Sequence, residues 1–161
     1  MVNQPPPRGS SFAFDNAARA LYEQMGRIES LDAKAGVLLA ANGVLAGLLF
    51  ATDSVLIQAP RVLGVAVTIS LLFSILLALL AFSTRKYETA PTPEAVIGLM
   101  EQGGDAWLKW RFLGNVVVAL TINRGKLERK ARLLSSAIGF LFIVVLLLGG
   151  YLSYLLTARG G

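Results

Sequence analysis

The stretch VLGVAVTISLLFSILLALLAF, Val62 to Phe82, carries no charged residue. A bilayer core of about 30 Å needs about 20 helical residues, so this run is long enough to cross one. A second uncharged run, Leu133 to Ala158, meets the same length. A third, Gly36 to Thr52, is close to the short limit. It becomes a full span if it begins near Leu31, with Asp32 and Lys34 at the headgroup level. Buried helices of a water-facing domain are the alternative, but three such runs leave little polar surface to face water. Three membrane spans are therefore expected, at about 33–52, 62–82 and 133–157.

The rest of the composition agrees. The 161 residues are 55% hydrophobic and 16% charged, against about 45–50% and about 25% in a soluble domain. Cysteine and histidine are both absent. That excludes a disulfide framework, a Ser-His-Asp triad, a Cys-His pair, a His/Cys zinc site and haem ligation by His or Cys. No motif gathers the remaining Ser, Asp, Lys and Arg into a catalytic set. The chain is expected not to be an enzyme, with no catalytic residue, metal or cofactor assigned.

The formal net charge is +5, and its distribution orients the chain. Arg8, Arg19, Arg27 and Lys34 precede the first span, and only Arg61 lies in the first loop. The second loop holds Arg85, Lys86, Lys109, Arg111, Arg124, Lys126, Arg129, Lys130 and Arg132, and only Arg159 follows the third span. Cytoplasmic segments carry the Lys/Arg excess. The N-terminus and the second loop are thus expected inside, with the first loop and the C-terminus outside. Topology then accounts for most of the basic charge, and no nucleic-acid partner is expected. The polar, mixed-charge residues 1–35 do not read as a signal peptide.

The cytoplasmic parts read as folded. Residues 1–10, with Pro5, Pro6, Pro7 and Gly9, are expected to be a disordered leader. Phe14, Ala18, Leu21, Met25 and Ile28 then form one apolar helical stripe. Asp15, Arg19, Glu23 and Arg27 alternate in sign on the exposed face. No Pro or Gly cluster intervenes before the first span, so one long stalk helix is expected from about Phe14 to about Phe50. In the segment 83–132, Thr92-Pro93-Glu94 reads as a helix start and Gly103-Gly104 as its end, with Asp105 capping the next helix. On that helix Trp107, Trp110, Leu113, Val117 and Leu120 form a stripe. It is expected to pack on the first helix, with headgroup contact as the alternative. Lys126 to Arg132 leads into the third span as a basic anchor, or as an anion site.

Within the first span, Gly36, Ala40, Gly43 and Gly47 make a stripe of small residues. Such stripes allow close helix packing, within the chain or between subunits. Asn42 is the only amide in an apolar span, so it should face another helix or a wet cavity. Asp32 and Lys34 lie two residues apart and cannot face each other, so each needs its own partner across the fold. They are either a latch at the membrane edge or ordinary boundary residues.

The block Asp32-Ala33-Lys34-Ala35-Gly36-Val37-Leu38-Leu39-Ala40-Ala41-Asn42-Gly43 resembles the first membrane segment of the Pycsar membrane effectors of PycTM type. The stretch Leu127-Glu128-Arg129-Lys130-Ala131-Arg132-Leu133-Leu134 is also similar, as is the order of leader, two spans, cytoplasmic segment and last span. The resemblance covers about Ala17 to Leu156 and treats 11–161 as one membrane domain. It implies an all-α integral membrane protein of the bacterial inner membrane, multi-pass and homo-oligomeric, functionally partnered with a pyrimidine cyclase. It also implies activation by cyclic CMP or cyclic UMP, loss of membrane integrity and abortive infection as an antiphage defence. Arg85, Lys86, Arg124, Lys126, Arg129 and Lys130 are the expected phosphate partners, and Asp32, Lys34, Gly36, Ala40, Asn42, Gly43 and Gly47 the packing or gating residues. Two alternatives remain: a SLATT-type effector answering another nucleotide signal, and a non-catalytic subunit of a larger membrane complex.

Overall fold

A computed structural model describes residues 7–51, 61–83, 87 and 105–159. Three helices fill almost all of this: α1 Ser10–Ala51, α2 Arg61–Phe82 and α3 Asp105–Arg159. Among the described residues there is no strand. All three helices are long and apolar enough to cross a membrane, as the uncharged runs predict. The expected helix over 92–102 lies outside the described residues.

Helix α1 begins where glycine permits a turn. Gly9 has a φ of 86°, in the left-handed region that a side chain disfavours. The Ser10 N–H donates to the Pro7 carbonyl at 3.2 Å, and the Ala13 N–H to the Gly9 carbonyl at 3.0 Å. Ser10 is thus already helical and buried, so the helix begins inside the expected leader. From there α1 runs through 42 residues, about 63 Å at 1.5 Å per residue. Helix α3 is longer still, with 55 residues. The sequence explains its continuity: every proline of the chain precedes residue 94, so no helix-breaking ring interrupts α3.

Contacts divide the chain into two units, one of residues 1–29 and 85–128, the other of residues 30–84 and 129–161. In the first unit, Leu21 packs on Val116 and Ala119, with Phe14, Ala17 and Leu120 around them. The α1 stripe is close to the expected one: Leu21 and Ile28 are buried, and Phe14, Ala18 and Met25 are half-buried. The α3 stripe is not. Its buried face is Leu108, Phe112, Val116, Ala119 and Asn123, while Trp110 is 44% exposed and Val117 47%. The packed face therefore lies about one residue, or 100°, from the stripe centred on the tryptophans. Compact side chains such as Val116 and Ala119 let the backbones approach, and an indole is too bulky for that seam. Trp107 instead carries the Arg111 guanidinium over its ring at 5.3 Å.

The second unit holds the three apolar segments. Ala35, Leu38, Ala78, Ala81, Leu134 and Ala137 form one buried cluster, and Val67, Leu71 and Val144 another. In α2 the buried residues are Val67, Leu71, Ser74, Ala78 and Ala81. In α1 the packed positions are Leu31, Ala35, Leu38, Asn42, Leu45 and Leu49, and in α3 they are Lys130, Leu134, Ala137, Leu141, Val144, Leu148 and Tyr151. Steps of four and three alternate throughout, an average of 3.5 that holds one face of a helix against its neighbour. Large apolar side chains such as Leu72, Leu76, Phe142 and Leu146 point outward, as a lipid-facing surface requires.

Candidate functional site: an intramembrane polar chain and a charged groove

In the second unit three polar groups from three helices meet inside the apolar seam. Asn42 on α1 is fully buried, and its Nδ2 donates to Ser74 Oγ on α2 at 3.0 Å. Ser74 Oγ in turn donates to the Ala137 carbonyl of α3 at 2.9 Å. The direction of this chain is forced. A backbone carbonyl only accepts and a serine has one proton, so Ser74 must take its second bond from the Asn42 amino group. The Asn42 Oδ1 is then left buried without a partner among the described residues. Asn42 faces another helix, as its isolation in an apolar span required. Ser74 carried no such sequence signal; only its place in the α2 seam marks it.

At the edge of the same unit, Lys130 forms an ion pair with Asp32. Lys130 is only 5% exposed, because its position in α3 belongs to the packed face. Lys130 is one of the expected phosphate partners; here its ammonium is turned inward onto a carboxylate. It also supplies the partner Asp32 needed. Lys34 is exposed.

Among the described residues, most of the small-residue stripe is not packed against another helix. Ala40, Gly43 and Gly47 are exposed and Gly36 is half-buried. A Cβ added at Gly36, Gly43 or Gly47 would meet nothing within 4 Å. Close approach is made instead by Ala35, Ala78, Ala81 and Ala137, on the neighbouring face of α1 and on the other two helices.

In the first unit α1 and α3 border a groove of about 410 Å³. Ala20, Glu23, Gln24 and Arg27 line it from α1, and Leu120, Arg124, Leu127 and Glu128 from α3. Gln24 Nε2 donates to the Leu120 carbonyl at 3.2 Å. That carbonyl can only accept, so the amide orientation is set and Gln24 Oε1 stays buried without a partner among the described residues. Arg124 Nε pairs with Glu128 one turn away at 3.2 Å. Nearby, Lys109 bridges Asp15 of α1 at 3.0 Å and Asp105 at 3.4 Å. The hydrogen bond to Asp15 raises the Lys109 pKa above its ordinary 10.5; desolvation opposes this and the nearby Asp105 and Asp15 charges add to it.

Of the expected phosphate partners among the described residues, only Arg124 lines this groove. Lys126 lies over the Tyr87 ring at 5.9 Å, Arg129 is exposed, and Arg85 and Lys86 lie outside the described residues. Sequence reading missed Gln24 and Arg27. Gln24 is a polar residue at a seam position between Leu21 and Ile28, and that interruption of an apolar stripe was the available signal.

No curated protein and no solved structure matches the chain. The family described as PycTM, Pycsar effector protein domain, matches residues 16–157, a range that takes in α2, nearly all of α1 and α3, and both units. With three helices able to cross a membrane, the chain belongs to the Pycsar effector family.

Proposed function

We propose that the protein is a membrane effector of antiphage defence, activated by cyclic CMP or cyclic UMP from a partner pyrimidine cyclase. On activation it impairs the bacterial inner membrane, and the infected cell dies or arrests before phage release. The family match over 16–157 carries this reading. In it, the N-terminus and the segment 83–132, which together carry thirteen of the fifteen basic residues, lie in the cytoplasm, and the C-terminus lies outside. The protein acts as a homo-oligomer, with Ala40, Gly43 and Gly47 available to a second copy because they are exposed among the described residues. Mechanistically, a nucleotide binds one helix packing more tightly than another, and that difference shifts the population.

The test is dye release from proteoliposomes holding the purified protein. Cyclic CMP or cyclic UMP should release dye, and cyclic AMP and cyclic GMP should release little. Release that is absent with both pyrimidine nucleotides, or equal with all four, overturns the proposal.

A further inference from the structure

We propose that the groove between Gln24 and Arg27 of α1 and Leu120 and Arg124 of α3 is the nucleotide site, an inference that rests on the cyclic-nucleotide reading above. Its volume, about 410 Å³, lies in the range of small-ligand pockets, roughly 300–1,000 Å³. Its lining offers three kinds of contact. Arg27 of α1 and Arg124 of α3 line the groove from opposite walls, and guanidinium groups are fork-shaped donors suited to phosphate oxygens. Arg27 has no ion-pair partner among the described residues. Arg124 is held through Nε by an exposed pair within its own helix, which leaves its terminal donors for a further acceptor. Ala20, Leu120 and Leu127 provide apolar surface for the face of a base. The carboxylates of Glu23 and Glu128 can accept from a ribose 2′-hydroxyl, as acidic residues do in dinucleotide sites.

Two guanidinium groups and two carboxylates leave the groove formally neutral. That balance disfavours a polyphosphate and suits a ligand with one negative charge and several neutral donors, which is the chemistry of a cyclic nucleoside monophosphate. Gln24 adds a reader for the base edge. Its Oε1 lacks a partner among the described residues, and both the cytosine amino group and the uracil N3–H can supply one once the amide exchanges its bond to the Leu120 carbonyl for the ligand. Both walls belong to helices that continue as the long apolar segments of α1 and α3. Drawing Arg27 and Arg124 onto one phosphate therefore acts on the helices that cross the bilayer.

The experiment is equilibrium binding of cyclic CMP and cyclic UMP to the full chain in nanodiscs. Arg27→Gln and Arg124→Gln should each weaken binding by about tenfold or more, the loss of a charge-assisted contact. The double variant Lys126→Gln with Arg129→Gln, outside the groove, should stay within about twofold of the unmodified chain, its charges being ones salt screens. A ligand-side measurement needs no altered fold: 2′-deoxy cyclic CMP should bind the unmodified chain several-fold more weakly than cyclic CMP, and Glu23→Gln should narrow that gap. If the unmodified chain binds the nucleotides and the groove arginines can be replaced without effect, the groove is wrong while the effector reading stands. Inorganic phosphate competing as well as cyclic CMP would reduce the groove to a simple anion site and overturn the assignment. Failure of the unmodified chain to bind either nucleotide sinks both.

Discussion

Asn42, Ser74 and the Ala137 carbonyl tie three helices together through one serine hydroxyl. Replacing Ser74 with alanine strands the whole Asn42 amide in an apolar seam. Replacing Asn42 with leucine removes that amide, while Ser74 still donates to Ala137. Intramembrane hydrogen bonds average about 0.6 kcal/mol and reach about 1.7, and stranding a buried partner costs more than removing both. Ser74→Ala should therefore cost about 1–2 kcal/mol in a detergent unfolding titration. Asn42→Leu should cost less, and adding it to Ser74→Ala should recover part of the loss. A larger cost for Asn42→Leu would mean the bond chain runs differently. At this scale the sequence announced Asn42 by its isolation and kept Ser74 silent, because a hydroxyl is common in membrane helices and satisfies itself on its own backbone. Thr68 does so, donating to the Gly64 carbonyl. Lys130 is the opposite lesson. It sits in a basic run that reads as a surface anchor, yet the α3 seam passes through its position and turns it onto Asp32.

Among elements, the pairing of α1 with α3 in the first unit is tied at Lys109 and Asp15. The Lys109 pKa is raised chiefly by that hydrogen bond. A raised lysine contributes stability at every pH below its ordinary value of 10.5, and the contribution fades as pH climbs through the higher folded value. Tryptophan fluorescence from Trp107 and Trp110 should thus be flat through neutral and mildly alkaline solution. It should change only above about pH 10.5, and Lys109→Met should abolish that change. A transition centred near neutrality would contradict the pairing. The helix itself was legible: no proline, an acidic first turn at Asp105 and steady apolar content. Its packed face was not, because Trp107 and Trp110 dominate any apolar stripe by sheer area, whereas close approach selects Val116 and Ala119. The glycine stripe did not mark the face that packs among the described residues, for the same reason. Gly43-x-x-x-Gly47 permits contact, but alanines one face away are what the neighbouring helices meet.

For the whole molecule, the absence of cysteine makes each introduced thiol the only one. With Arg19→Cys on α1 and Thr157→Cys on α3, both exposed positions, an impermeant maleimide on intact cells should label only the second. Labelling at Arg19→Cys alone would invert the proposed orientation while leaving family membership untouched. The number and apolar character of the three helices able to cross a membrane, and the family, were determined by sequence alone. Span length, proline placement and composition are properties of contiguous residues, and they need no knowledge of neighbours. The tertiary structure alone decided which face of each helix is buried, that Ser74 answers Asn42, that Lys130 points inward, and that Gln24, Arg27 and Arg124 border one groove. Those outcomes depend on helix rotation, and a turn of about 100° moves a residue from the seam to the surface with no change in sequence pattern.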